Sequence, residues 1–192
     1  MASDQPLVLA FDTAAARCAA ALVRGDALLA RRVEPMDRGQ AERLLPMLEE
    51  LLAEAGVAWP DLDGIGVVTG PGNFTGVRLA VAAARGLALS LGIPAVGVSV
   101  FEALADRPGA VTITLADKRG RFAQSFRDGV ALAPPVPLPG DGPAQAAQAD
   151  PAVVARLAAR RLGAAPPPAP LYLRPADATP SSDPLPVLLD DA

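Results

Sequence analysis

The sequence of 192 residues contains no histidine, a single cysteine (Cys18) and few aromatic residues, which make up 4% of the chain. The absence of histidine excludes Ser-His-Asp and Cys-His catalysis, and the single cysteine excludes disulfide frameworks and Cys/His zinc sites. Catalysis, if there is any, must use carboxylates, hydroxyls, lysine, arginine or the backbone. Because Cys18 lies in an alternating apolar stretch, we expect a small buried hydrophobic residue rather than a reactive thiol.

Positive charge is also scarce, since 17 basic against 21 acidic residues give a formal net charge of -4. This balance argues against a broad basic face that binds nucleic acid, so a function on nucleic acid would need a partner protein. No basic segment precedes an apolar run at the N-terminus, and the longest apolar segment, 77–94, is interrupted by Arg78 and Arg85. The sequence therefore predicts no signal peptide and no membrane span. We expect a cytoplasmic protein.

Hydrophobic residues make up 51% of the chain, which indicates a folded globular protein. Apolar periodicity and the positions of glycine and proline predict the elements of a first unit. These are strands at 7–12, 16–24 and 27–34, a helix from about 37 to 56, a strand at 65–69, a helix from about 77 to 91, a strand at 95–99 and a short helix at 101–105. The first three strands form an antiparallel meander, and the strands linked by helices are expected to be parallel.

This order, βββαβαβ, predicts an α/β fold of the ribonuclease-H-like kind that forms each lobe of the actin-like ATPases. The lobe covers residues 1–105, and a truncated second lobe follows over 106–175. Within the second lobe we expect strands at 111–117 and 122–126, a proline-rich loop at 133–149 and a helix at 152–162. A loosely ordered tail completes the chain over 176–192.

One candidate functional feature is Asp12-Thr13, where an acidic residue and a hydroxyl follow a buried strand. Actin-like ATPases have a phosphate-contacting loop at this place, with glycines that let backbone amides approach the nucleotide. Here alanines occupy the turn. The two interpretations are a vestigial phosphate loop and a structural turn in which Asp12 bonds to the backbone, and the second is favoured.

A glycine-rich turn between a strand and a helix is the second candidate. It has neither the lysine of a P-loop nor the spacing of the dinucleotide fingerprint, so it is a weak phosphate cradle. The plainer interpretation is a tight loop whose Asn73 or Thr75 caps the following helix. Its residues are Gly70, Pro71, Gly72, Asn73, Phe74, Thr75 and Gly76.

The helix after this loop is apolar on almost every side. A stripe of small residues recurs every four positions from Gly76 to Ala88, and larger aliphatic residues cover much of the remaining circumference. Such a helix needs a second packing partner beyond its own sheet. Either the neighbouring helix of this chain, with its leucine stripe from Leu44 and Leu45 to Leu52, or another protein could fill that role, and both remain open. Arg78 and Arg85 lie seven residues apart and therefore share a face.

The residues resemble the bacterial TsaB family of threonylcarbamoyladenosine biosynthesis proteins, also called YeaZ. The resemblance is carried by Leu9 to Thr13, by Ala41 to Pro46 and above all by Gly70 to Arg78 with the helix that follows. Weaker matches are Asp117 to Arg119 and Pro170 to Arg174. The first two thirds of the chain match well and the last third matches in fragments.

The resemblance implies a subunit of the actin-like ATPase superfamily that has lost catalysis and binds no cofactor or metal. Such subunits pair with a TsaD-like catalytic subunit, and with a TsaE-like ATPase, to form threonylcarbamoyladenosine next to the tRNA anticodon, so tRNA contact would be indirect. A homodimer is a further expectation. Carried over by position, the partner interface would use Gln40, Leu44, Met47, Leu48, Leu51, Val77, Arg78, Val81, Ala84 and Arg85.

The chain also departs from the family pattern. Members usually have histidine where this chain has Gln40 and serine where it has Asn73, and the second lobe is short between 140 and 151. The short second lobe bears on any contact that its missing strands make with the ATPase subunit or a nucleotide, and it leaves the pairing surface of the first lobe untouched. The alternative hypothesis is a small Mg-ATP-dependent phosphotransferase that uses Asp12 and Asp117 to hold magnesium.

Overall fold

A five-stranded mixed sheet forms the centre of the computed structural model, which describes residues 5–117 and 120–174. The strands of this sheet lie in the order β3-β2-β1-β4-β5. They and their connecting helices are β1 (Leu7–Asp12), β2 (Arg17–Arg24), β3 (Ala27–Pro35), α1 (Gln40–Glu54), β4 (Gly64–Val68), α2 (Phe74–Leu91), β5 (Ala95–Val98) and α3 (Val100–Leu104). β1, β2 and β3 pair antiparallel, while β1, β4 and β5 pair parallel. The predicted meander, crossovers and fold class are confirmed.

A second sheet follows, in which β7 is flanked by β6 on one side and by β8 and β9 on the other. Its strands and the last helix are β6 (Ala110–Asp117), β7 (Gly120–Arg127), β8 (Val130–Ala131), β9 (Val136–Leu138) and α4 (Pro151–Ala159). The prediction of loop throughout 133–149 is wrong at β9, because alternating prolines obscure a strand of three residues. The expected tail at 176–192 lies outside the described residues.

Helix α4 packs against strands of the first sheet, although its place along the chain groups it with the second unit. Small residues make this packing possible. Gly66 on β4 lies beside Ala10 on β1, and a Cβ at Gly66 would stand 2.9 Å from the Cβ atoms of both Ala10 and Ala158. These small residues therefore have a structural use, since they let a helix backbone approach the sheet closely. The division of the chain after residue 105 stays a prediction.

Helices α1 and α2 cover the opposite face of the first sheet. Both α2 and α4 contact β1 and β4, so they must lie on different faces of these strands. α1 lies over β2 and β3, where Arg43 forms ion pairs with Glu34 on β3 and with Glu50 on α1. Hydrogen bonding to Arg43 lowers the pKa of Glu50 to about 2 and also lowers the pKa of Glu34. One face of the sheet thus carries the two helices for which the sequence predicts an interface.

Candidate partner-binding site

The glycine-rich loop joins β4 to α2 at the carboxyl end of the sheet. The Gly70–Pro71 peptide bond is cis, and Gly70 has φ 103°, a conformation that favours glycine. Asn73 is the N-cap of α2, and its Oδ1 accepts a hydrogen bond from the backbone N–H of Gly76 at 3.0 Å. This confirms the predicted cap by Asn73. The helix begins at Phe74, three residues before the predicted start.

The same loop packs directly on the turn that follows β1. The backbone N–H of Asn73 donates to the carbonyl oxygen of Ala14 at 2.7 Å, and the hydroxyl of Thr13 donates to the carbonyl oxygen of Gly76 at 2.7 Å. A Cβ at Gly72 would lie 2.5 Å from the Ala14 carbonyl oxygen, and one at Gly76 would overlap the Thr13 carbonyl oxygen. Two of the loop glycines are therefore required by close approach to another backbone.

Asp12 is fully engaged by the chain itself. Its side chain is 1% exposed, one carboxylate oxygen accepts the backbone N–H of Ala14 at 2.7 Å, and the other accepts an Nη2 hydrogen of Arg17 at 2.9 Å. Arg17 also donates to the carbonyl oxygen of Ala149, just before α4. Asp12 thus acts as a structural tie between the β1–β2 turn and the segment entering α4.

Both carboxylates of the alternative hypothesis are paired with arginines of the chain itself. Asp12 ends a strand of the first sheet and pairs with Arg17, whereas Asp117 ends a strand of the second sheet and lies 3.5 Å from Arg174. In residues 5–117 and 120–174 no group of three or more Asp, Glu or Cys side chains could hold a metal ion.

Most of the interface residues expected from the resemblance lie inside the chain. Five face the sheet at 0 to 1% exposure and two more at 4 to 5%; these seven are Leu44, Met47, Leu48, Leu51, Ala84, Val81 and Val77. These seven side chains are packed in the core of the chain rather than on its surface, and their contact with a partner stays a prediction. Arg78 and Arg85 are exposed and Gln40 is half-buried, donating from Nε2 to the Met36 carbonyl oxygen at 3.1 Å.

The outward face of α2 lies opposite those core residues, and it is apolar and positively charged. We define this face by its exposed residues Phe74, Arg78, Ala82, Arg85, Gly86 and Leu89. Leu89 is 86% exposed and Phe74 is 56% exposed, while α2 contains no Asp or Glu. Within the described part of the chain, α2 is the one helix long and apolar enough to cross a membrane. Core helices of soluble proteins pass the same test of length and composition.

The outward face of α1 has the opposite charge. Glu42 and Glu49 are exposed on it, on either side of Leu45, which is 47% exposed. The leucine pattern predicts Leu45 in the buried stripe, and the helical phase instead turns it to solvent. Together the two outward faces offer a partner both apolar surface and charges of both signs.

A cluster at the beginning of α2 is absent from the sequence-based predictions. The Arg78 guanidinium carbon stands 3.8 Å from the centre of the Phe74 ring, and Arg78 Nε donates to the Tyr172 hydroxyl at 2.9 Å. The two aromatic rings are 5.9 Å apart. Tyr172 lies 94 residues after Arg78, so no local pattern could have joined them.

Comparison with known proteins gives the family. A family model described as "TsaD: tRNA N6-adenosine threonylcarbamoyltransferase" matches residues 33–116. A solved structure of YeaZ from Pseudomonas aeruginosa is 33% identical, with a TM-score of 0.60 over 70% of this chain and 68% of that one. The chain belongs to the TsaB/YeaZ family.

Other members agree with this assignment and show how the chain differs in length. The TsaB of Escherichia coli is 34% identical over 122 residues, which are 62% of this chain and 52% of that protein. A crystal structure described as an uncharacterized protein with similarity to peptidase YEAZ from Pseudomonas aeruginosa has 27% identity and a TM-score of 0.70. It covers 88% of this chain and 100% of its own. The chain spans about half the length of the Escherichia coli TsaB.

Proposed function

We propose that this chain is a non-catalytic subunit in the biosynthesis of tRNA threonylcarbamoyladenosine and that it pairs with a TsaD-like catalytic subunit. The relatives named for this biosynthesis and the TsaD family model support the pathway. The cytoplasm, where tRNA is modified, is the proposed location. A TsaE-like ATPase is the proposed third member of the complex.

The outward face of α2 is the observation that carries the proposed pairing. Leu89 and Phe74 expose large apolar surfaces on a helix whose opposite side is already packed on the sheet. Exposed apolar surface on one continuous face is typical of sites that bind another protein. The partner interface therefore moves from the inward residues predicted by resemblance to the outward residues of the same helices.

The state of Asp12 supports the non-catalytic part of the proposal. Both of its oxygens are hydrogen-bonded within the chain, and the first turn of α2 packs on the Thr13–Ala14 backbone. A phosphate at this turn would have to displace both contacts. The net charge of -4 further supports a complex in which the catalytic partner holds the tRNA.

Size-exclusion chromatography with light scattering tests the pairing. We expect the chain mixed with a TsaD-like subunit at micromolar concentration to elute as a complex. Leu89→Glu should weaken that complex by burying a charge in the interface, while Val136→Glu, at a residue 53% exposed on the second sheet, serves as the matched control. Separate elution of the unaltered chains would contradict the proposal.

Two further measurements address the other hypotheses. The mass of the isolated chain as a function of concentration determines whether two copies of the chain form a homodimer. Calorimetric titration with Mg-ATP tests the phosphotransferase alternative. Saturable binding that Asp12→Asn abolishes would favour an enzyme over a scaffold.

A further inference from the structure

Arg78 is held in place on two sides. Its guanidinium stacks on Phe74 with a separation of 3.8 Å from the ring centre, and its Nε donates to the Tyr172 hydroxyl. Both aromatic side chains are more than half exposed, so the cluster lies at the surface. Two of the three side chains come from the first turns of α2, and the third comes from the segment after α4.

The segment that carries Tyr172 is itself anchored to both sheets. The backbone N–H of Leu171 donates to the carbonyl oxygen of Thr69 at 2.8 Å, which fixes it to the end of β4. On the other side of Tyr172, the guanidinium of Arg174 stands 5.2 Å from the centre of the Phe122 ring on β7. Tyr172 is thus a fixed hydrogen-bond acceptor rather than a loose surface residue.

The charge of Arg78 is not neutralised by an ion pair with any residue of 5–117 or 120–174. Nε is occupied by Tyr172, so the two terminal Nη groups remain to form a bidentate contact with a carboxylate. An arginine whose side chain is already ordered loses less conformational entropy on binding than a mobile one. Arginine and tyrosine at an exposed apolar site are also typical of the residues that dominate protein interfaces.

We infer that Arg78 receives a carboxylate of the partner protein and that Tyr172 is the positioning residue that orients its guanidinium. This inference rests on the proposed function, because the partner is the subunit that pairs with α2. A protein carboxylate fits better than an RNA phosphate, since the chain has a net negative charge and the site combines one cation with apolar surface. The C-terminal segment therefore helps to build the interface although it is distant in sequence.

The test measures the dissociation constant of the full-length chain and a TsaD-like subunit by calorimetry. Arg78→Lys keeps the charge but loses the planar guanidinium group that makes a bidentate contact, and we expect binding to weaken about 10-fold or more. Tyr172→Phe keeps the ring but removes the acceptor, and we expect about 3-fold to 10-fold weaker binding. Arg127→Lys is the matched control on β7, outside the outward face of α2, because Arg127 is exposed and no ring or carboxylate in the described ranges holds it, and its effect should be under about 3-fold.

A coupling measurement separates positioning from simple loss of contact. With lysine at position 78, Tyr172→Phe should leave the dissociation constant almost unchanged, because no guanidinium group remains for Tyr172 to orient. Equal losses from Tyr172→Phe in both backgrounds, or wild-type affinity for Arg78→Lys, would overturn the inference while leaving the pairing itself intact. Absence of binding by the unaltered chain would overturn the proposed function and the inference together. If polyanionic RNA, but not the subunit, loses affinity in Arg78→Lys, the ligand is a phosphate and the inference is wrong.

Discussion

Replacing each of two glycines of α2 by alanine should change stability in opposite directions. Gly86 faces open space, with no atom within 4 Å of the position that a Cβ would take, so alanine there gains helix propensity at no steric cost. The gain is about 1 kcal/mol, the difference between the two residues in a helix interior. For a domain of this size that raises the melting temperature by about 2–4 °C.

Gly76 receives the same gain in propensity but meets the Thr13 backbone. Its Cβ would overlap the Thr13 carbonyl oxygen, so the loop and the β1–β2 turn must separate. Overpacking of this kind costs about 1–3 kcal/mol, and distortion of the hydrogen bond from the Thr13 hydroxyl adds about 1 kcal/mol. After subtracting the propensity gain, we expect Gly76→Ala to lower the free energy of unfolding by about 2 kcal/mol.

Urea denaturation of both variants, followed by circular dichroism and by the fluorescence of Trp59, the single tryptophan, measures the difference. The unfolding slope should stay unchanged, so that the midpoints report stability directly. Stabilisation by Gly76→Ala, or a change equal to that of Gly86→Ala, would show that the two backbones are not in close contact and would refute the reasoning.

Further predictions concern the core side of α2, the Asp12 tie and the buried thiol. Val81 is 4% exposed, and Val81→Glu should unfold the chain because it buries an unpaired charge. Leu89→Glu should leave the melting temperature within about 1 °C of wild type. Equal effects of the two changes would mean that the inward face of the helix has been assigned wrongly. Arg17→Ala leaves the Asp12 carboxylate buried without its cation and should lower the free energy of unfolding, measured by urea denaturation, by about 3–5 kcal/mol. Adding Asp12→Asn should restore part of this stability. An unchanged free energy of unfolding in Arg17→Ala would contradict the structural role of the Asp12–Arg17 pair. Burial, and secondarily Glu34, raises the pKa of Cys18 to about 11. The unfolded thiol ionises at lower pH than the folded one, so stability should fall between about pH 9 and 11, and Cys18→Ala should flatten this decline.

Close agreement between sequence and structure is found in the first unit. β1 has the predicted limits. The period of the apolar residues, the turn residues and the capping residues predict the meander, the parallel crossovers and the Asn73 cap, which the structure confirms. The elements and the cap are local, because each depends on neighbours within a few residues, and the parallel pairing follows from the order of strand, helix and strand. The family could be named for the same reason, since its longest motif is continuous.

Tertiary structure decided which side of each helix is available to a partner. α2 is apolar all round, so its composition could not distinguish the face with Val81 from the face with Leu89, and packing on the sheet resolves the choice. The same holds for α4, whose position on the first sheet follows from the close approach of alanine and glycine backbones rather than from its place in the chain. The contact of Arg78 with Tyr172 also depends on the fold, because it spans 94 residues. Sequence determined the elements and the family, whereas the three-dimensional packing determined the surface, because exposure is a property of the whole chain.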